Sequence, residues 1–399
     1  MNVRSITCFV NAGGPGANAA ARAGRLARDA QAALEAAGLP VQSRRLATQP
    51  LSSLPGDPMA VARAVAAEGA AAGFEYVSLG PVLAAEPGAG LERLALIPEL
   101  IRGNDSTFTS ILVAGREAGI NLAAIRQAAA VVREVAHTTD QGFGNLRLAV
   151  LANVGPHAPF FPAAYHDGGG PAVAVALESA GLAVEAFSPA GSLDEARGRL
   201  VAAVEGAAGR VAAVVEPLAR DAGARFAGID FSYAPFPDEA RSVGAAVERL
   251  GVERFGAPGT LFAASFLTGC LRQARYPHCG FNGLMLPVLE DAVLAERSKE
   301  GLFTVNDLLL WSAVCGTGLD TVPLPGDVTE DELAGILLDV AALAVRLDKP
   351  LTARLMPVPG LRAGDVTAFE FEYFANGRVL DVKGAGSAGV FRRASHLAG

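Results

Sequence analysis

The run Leu284-Met285-Leu286-Pro287-Val288-Leu289 is apolar throughout and ends on two acids, Glu290 and Asp291. Such a run reads as a buried strand that stops where polar chemistry begins. An apolar helix follows, then a Cys-Gly-Thr-Gly turn from Cys315 to Gly318, then a second short strand that opens with Asp320. Strand, helix, strand in this order marks an α/β fold, because parallel strands must be joined by a crossover, usually a helix. In such folds chemistry gathers at strand ends and the loops beside them. The stretch from Gly280 to Asp327 therefore points to both an architecture and a site.

The same alternation begins at the N-terminus. Strands are expected over 3–10, 41–46, 74–79, 106–113, 145–151, 226–233 and 352–357. Alanine-rich or amphipathic helices are expected over about 19–37, 59–72, 121–136, 260–273, 304–315 and 330–347, with a helix pair before Ala219. Asn121 suits an N-cap, since its side chain can accept from first-turn amides. Thr304 with Asp307 fits a capping box, and Gly316 a C-cap. Asp291 likewise fits an N-cap. Asn376-Gly377 predicts the turn of a hairpin over 366–382. The glycines Gly13, Gly14 and Gly16 follow the first strand, but they lack the GxGxxG spacing and the Lys-Ser/Thr pair of a phosphate loop, so an ordinary strand-to-helix turn is expected there. No linker or repeat breaks the chain. Residues 1–383 read as one domain, and 384–399 as a Gly/Ala/Ser-rich tail, mobile or packed on a neighbour.

Composition removes several function classes. Apolar residues make up 51% and charged residues 19% of the 399, as in a compact globular chain. A net charge of −8 argues against a nucleic-acid partner, which requires clustered Lys and Arg. No leader pattern and no bilayer-length apolar run is visible, so a soluble cytoplasmic protein is expected, without a membrane partner. Cys8, Cys270, Cys279 and Cys315 are scattered without CxxC or zinc spacing, so reduced thiols are expected.

Candidate site residues come from two places. The loop Asn153 to Gly170 carries His157, Phe160, Phe161, Tyr165, His166 and Asp167 beside three glycines, a composition suited to a pocket wall. His166 is the acid/base candidate there, with His157 second. Asn153 and Tyr165 are candidates to bind substrate, and Pro171 could open a helix whose free amides face an anion. The second place is the strand ends. Asp230 and Ser232 share one face of an apolar strand. Asp230, Glu290 and Asp320 would repel one another on converging unless a divalent cation, Mg²⁺ or Ca²⁺, or an arginine intervened. Arg354 could pair with a carboxylate or clamp an anionic substrate. Cys315 is a further catalytic candidate, although a helix C-terminus disfavours its thiolate.

Seven segments taken together resemble the domain of unknown function 711 family: RSITCFVN, GINLAAI, NLRLAVLANV, PAAYHDG, GIDFSYAPFP, GLMLPVLEDAVLA and VCGTGLDTVPLPGD. The resemblance covers all but the last dozen or so residues. It implies a ten-stranded α/β barrel similar to that of the pyruvate formate-lyase and ribonucleotide reductase group, built from two parallel half-sheets. It implies no activity. The glycyl radical loop of that wider group reads Arg-Val-x-Gly-Tyr. Here the nearest string is Arg378-Val379-Leu380-Asp381-Val382, with Asp381 where the glycine would stand, and Cys315 has no adjacent partner. No glycyl radical is therefore expected.

These readings lead to two expectations. One is a non-radical acid/base enzyme, of lyase or isomerase type, acting on a small oxygenated anionic metabolite. His166, Glu290, Asp230 and Cys315 are its candidate catalytic residues. Asn153, Tyr165, Ser232 and Arg354 would bind substrate, and Asp230, Glu290 and Asp320 any metal. The alternative is a metabolite-binding or sensor protein without turnover. A homodimer is a candidate assembly for either.

Overall fold

A computed structural model describes residues 1–12, 18–54, 56–86, 88–384 and 386–398. The glycine turn at 13–16 lies outside the described residues. The described chain forms a mixed α/β fold around one large sheet. Its strands are β1 (Asn2–Phe9), β2 (Arg44–Ala47), β3 (Tyr76–Leu83), β4 (Thr107–Gly115), β5 (Gly119–Asn121), β6 (Leu148–Ala152), β7 (Ala172–Glu178), β8 (Arg225–Ala234), β9 (Gly318–Pro325), β10 (Leu351–Val358) and β11 (His396–Leu397). The hydrogen-bonded order is β8-β7-β1-β2-β3-β4-β6-β10-β9, with β5 and β11 off this path.

β1, β2, β3, β4 and β6 run parallel. β7 joins β1 antiparallel and β10 joins β6 antiparallel, and β8 and β9 continue outward in that second direction. No helix is long and apolar enough to cross a membrane among the described residues.

Alanine richness has a packing cause. Helix Ala19–Ala36 buries Ala20, Ala23, Leu26, Ala27, Ala30 and Leu34, a stripe at helical spacing. A Cβ on Gly24 would collide with the Ala72 carbonyl, so this helix crosses the end of the helix Pro58–Ala71 with almost no gap. Small residues let the outer helices lie close on the sheet.

The inner face of the sheet is filled by the loop 153–171. Phe161 packs with Phe9, Ala47, Phe108, Ala172 and Ala174. Ala158, Ala163 and Phe281 pack on Ala149 and Leu151. Backbone ties fix the loop: Ser78 Oγ donates to Ala164 O at 2.7 Å, and His166 N donates to Thr48 O at 2.9 Å. Pro171 opens no helix. It precedes β7, whose run of Ala and Val is buried on the sheet.

The ladder path ends at β8 and β9, which do not pair with each other directly. Three other expectations need correction. Residues 284–289 are not a regular strand. They lie between those two ends with one parallel bridge, Pro287 to Asp320, because Pro287 has no donor. Helix Val305–Ser312 stops before Cys315. Lys349 Nζ takes the freed carbonyls of Ser312 (2.9 Å) and Ala313 (3.3 Å), and Gly316 is small for a different reason, since a Cβ there would overlap Gly283. The hairpin over 366–382 keeps a single bridge, Val366 to Arg378. The Asn376 side chain stands in for a strand, accepting from Phe369 N at 2.8 Å and donating to Phe369 O at 3.0 Å.

The tail forms a short helix, Ala388–Phe391, and β11, which pairs with β5 of the same chain.

Asp291 caps two helices with one carboxylate. It accepts from Val293 N and Leu294 N at 3.0 Å at the start of Ala292–Lys299, and from Ser242 Oγ and Val243 N at 2.6 Å at the start of Val243–Arg249. Its full burial leaves no water to replace these bonds. Asp291→Ala should lower the unfolding free energy by about 2–4 kcal/mol in urea titration. A loss below about 0.5 kcal/mol would show that the two helix starts do not depend on it.

Candidate functional site

The sheet departs from regular geometry where its acids lie. Against β7, the five residues of β8 from Asp230 to Ala234 oppose the three from Ala176 to Glu178. Ser232 (φ 23°) and Tyr233 (φ 41°) are both in the left-handed region there. β9 bulges similarly against β10 at Asp320-Thr321, with Thr321 at φ 39°. Bulges re-aim side chains, and left-handed non-glycine residues cost free energy that the surrounding structure must offset. Asp230 stands at the start of the first bulge. Ser232 Oγ donates to it, as do Phe281 N (2.8 Å) and Asn282 N (3.2 Å). Gly280, at φ 73°, passes so close to this carboxylate that a Cβ would overlap it. Burial pushes the Asp230 pKa up, and the three donors only partly offset this.

The second bulge holds a buried ion chain. Arg354 Nε donates to Asp320 Oδ1 at 2.6 Å and Arg354 Nη2 to Glu290 Oε1 at 2.6 Å. Arg4 pairs with the other Glu290 oxygen and donates to Pro235 O at 3.1 Å. Burial raises the Glu290 pKa, but Arg354, Arg4 and Arg45 outweigh it and hold the group below its ordinary value. Asp320 shifts the other way: burial and the neighbouring Glu290 charge exceed the pull of Arg354, and its Oδ2 has no partner. The three acids proposed from sequence to share a cation do not form such a set. Among the described residues they do not bring ligand atoms within 4.8 Å of one another, and Arg354 with Arg4 supplies the countercharge.

Beside both bulges lies a cavity of about 850 Å³. Its lining includes Asp230, Ser232, Glu290 and Arg354 together with Arg4, Arg45, Tyr76 and Phe161. Two arginines of this lining, Arg45 and Arg102, have no carboxylate partner among the described residues, and of these Arg45 is half-buried while Arg102 is exposed. Arg45 Nε donates to Ser43 Oγ at 2.9 Å, and its guanidinium carbon lies 5.2 Å from the Phe161 ring centroid and 5.7 Å from that of Tyr76. Burial, then Arg4, lowers its pKa to about 10, so it stays cationic at neutral pH. Phe369, Phe371 and Tyr373 of the irregular hairpin form an aromatic rim. The sequence reading missed Arg4 and Arg45. The signal was available, because each charge interrupts a strand-like stretch just as Asp230 does.

The family described as "Uncharacterised ACR (DUF711)" matches residues 1–372. The chain belongs to this family. A "UPF0210 protein" of Pyrobaculum arsenaticum is 40% identical over 257 residues, which is 62% of this chain and 56% of that protein. One of Methanopyrus kandleri is 34% identical over 287 residues, 70% of this chain and 62% of the relative. One of Desulforudis audaxviator is 30% identical over 349 residues, 83% and 77%. The match thus spans less than two thirds of the first two of these relatives and more than three quarters of the third.

The remaining sequence candidates of this DUF711 chain lie away from the cavity. His166 is fully buried at the other end of β1 and β2, beside Asn11 and Gln49. Its Nδ1 accepts from Gly168 N at 2.7 Å and its Nε2 faces Gly170 O at 3.0 Å, which fixes the neutral Nε2–H tautomer. Burial lowers its pKa. Tyr165 donates its hydroxyl to Val154 O at 2.9 Å, and burial raises its pKa to about 12, so it braces the loop. Asn153 sits in a turn at φ 57° and accepts from Arg116 N at 3.1 Å. Cys315 is buried, with its carbonyl bonded by Lys349. Of the expected substrate-binding residues, Ser232 and Arg354 reach the cavity, and both donors that Arg354 turns to side chains are held by Glu290 and Asp320.

Arg354→Met should destabilise the fold by about 3–5 kcal/mol, because buried Asp320 loses its countercharge and Glu290 keeps only Arg4. Asp320 would then hold its proton more tightly folded than unfolded, so the variant's stability should fall as pH rises from 5 to 7. Urea titrations at both pH values check the magnitude and the sign.

Proposed function

We propose that this chain binds a small oxygenated anion in the 850 Å³ cavity and acts on it by non-radical acid/base chemistry of lyase or isomerase type. The observation that carries the reading is Arg45: a guanidinium with no carboxylate partner among the described residues, set against two aromatic faces in the wall that also presents Asp230 and Ser232. A cation whose charge is uncompensated in a partly desolvated cavity is a site for an anion. Asp230 supplies the proton-transfer group. Its raised pKa suits a general base, and the Ser232 hydroxyl extends its reach into the cavity. Glu290, Arg354 and Asp320 hold Arg4 and the cavity floor in place, acting as positioning residues.

The barrel of the pyruvate formate-lyase group belongs to the same proposal. Residues 279–288 would serve as its tenth strand. Cys279 N bonds Ile229 O on β8 at 3.2 Å, Met285 N bonds Ser232 O at 3.0 Å, and Val288 N bonds Asp320 O on β9 at 3.2 Å. Five strands in each direction, with the cavity enclosed between them, is what these contacts support.

The rival reading, binding without turnover, draws on the sealing of His166, Cys315 and Asp320 away from the cavity. A thermal-shift panel of di- and tricarboxylates and phosphate monoesters tests both. A binding anion should lose about 10–100-fold in affinity in Arg45→Gln, and its affinity should fall as pH rises through about 10, where Arg45 loses its charge. Asp230→Asn should retain binding and lose turnover about 100-fold or more. A ligand recovered unchanged after long incubation with the wild type would leave the sensor reading. Affinity equal in Arg45→Gln and wild type would overturn the site.

A further inference from the structure

We propose that His157 Nε2, His166 Nδ1 and Asp167 Oδ1 form a three-ligand site for a divalent transition-metal ion of the zinc class. Among the described residues this is the one group of three or more His, Cys, Asp or Glu side chains whose ligand atoms all fall within 4.8 Å of one another. It is separate from the anion cavity and does not rest on that reading. Arg4 stands near the start of β1 and the histidine cluster beyond its end, roughly 20 Å away along the strand.

The spacing is the first argument. Asp167 Oδ1 lies 3.6 Å from His157 Nε2 and 3.5 Å from His166 Nδ1. A charge-assisted hydrogen bond would draw these atoms to about 2.8 Å. Two ligands on one tetrahedral ion, with bonds of about 2.1 Å, stand roughly 3.4 Å apart. The observed separations fit shared coordination and are too long for hydrogen bonds.

The second argument is how the ligands are held. His157 sits at φ 67°, a left-handed conformation uncommon for a side chain of this size, and it packs edge-on against Phe9 at 5.1 Å. Strain held at a single buried histidine fixes where its ring points. His166 donates Nε2–H to Gly170 O, which leaves Nδ1 as the lone pair on the side of Asp167. A backbone acceptor on the far nitrogen is the partner that metal-bound histidines use. Burial lowers the pKa of both rings, which favours the neutral form that a ligand needs.

Two groups oppose a cation. Gly168 N–H occupies the His166 Nδ1 lone pair. Gly168, at φ 91° with open space around it, can turn this N–H away when an ion takes its place. The Arg225 guanidinium stands 3.2 Å from His157 Nδ1 and 3.4 Å from Nε2, and its charge weakens cation binding. Two imidazoles and one carboxylate favour a borderline ion over Mg²⁺ or Ca²⁺, which take oxygen ligands. A neighbouring cavity of about 400 Å³, lined by Asn11, Gln49, Tyr165 and His166, leaves the fourth position open to water or a ligand.

The test is titration of EDTA-stripped full-length protein with Co²⁺, read by visible absorption, followed by competition with Zn²⁺ and Mg²⁺. One Co²⁺ per chain with a tetrahedral band is expected, displaced by Zn²⁺ and not by Mg²⁺. Asp167→Asn, at an exposed side chain that the fold does not need, should weaken binding tenfold or more, and His157→Asn should do the same. Arg225→Gln should tighten it several-fold. No saturable Co²⁺ site, or a site whose affinity survives both Asp167→Asn and His157→Asn, would overturn the proposal.

Discussion

The ion chain Arg4–Glu290–Arg354–Asp320 is the interaction on which the site depends. It joins β1, the segment before Asp291, β10 and β9. Each of these charges would be costly to bury alone, and together they are tolerable only in one geometry. That geometry fixes the irregular segment 284–290 between the two ends of the sheet, where backbone hydrogen bonding is sparse. Apolar side chains could fill the same space, but they would not specify which atoms meet. Carboxylates on Arg354, one at Nε and one at Nη2, do specify it.

With that frame fixed, strain can be held beside the cavity. Ser232, Tyr233 and Thr321 adopt left-handed backbone at two bulges on neighbouring walls, and each bulge aims an acid inward. The two acids differ in outcome. Asp320 is spent on Arg354 and closed off. Asp230 is held by backbone amides and a serine, faces the cavity and has no cation partner among the described residues. Arg4 and Arg354 are matched by Glu290 and Asp320, whereas Arg45, the more buried of the two lining arginines without a carboxylate partner among the described residues, is not. The cavity lining therefore presents a carboxyl group, Asp230, and a guanidinium, Arg45, that are not paired with each other.

Much of this was legible in the sequence, and the failures share a cause. Helices over 260–273 and 330–347 appear where expected, because caps and amphipathic spacing are local signals. Asn121 and Asp291 cap as their positions suggest. Asp230 and Glu290 could be singled out because an acid in an apolar run needs a partner. What could not be read was which partner. Arg354 lies 64 residues from Glu290, and Arg4 lies 286 residues from it, so only the topology brings them together. Residues 284–289 carry strand-like composition, yet they sit between two bulged edges that offer few ladder positions. Asn376-Gly377 carries a turn signal, yet Asn376 finds a better use bonding Phe369. In each case a long-range contact overrode a local preference.

The loop 153–171 shows how one segment can serve both ends of the strands. Its middle, Pro159 to Phe161, faces the 850 Å³ cavity, and its flanks, His157 and His166, face the opposite end. It is held by side chain to backbone and backbone to backbone bonds to β3, to the residue after β2 and within itself, through Ala164, His166 N and Tyr165. Such anchoring leaves the loop little freedom to shift one flank without the other. Phe161 and Phe9 belong to one packed cluster, and Phe9 also packs on the His157 ring. The aromatic wall of the cavity and the first histidine of the cluster thus rest on the same residue of β1.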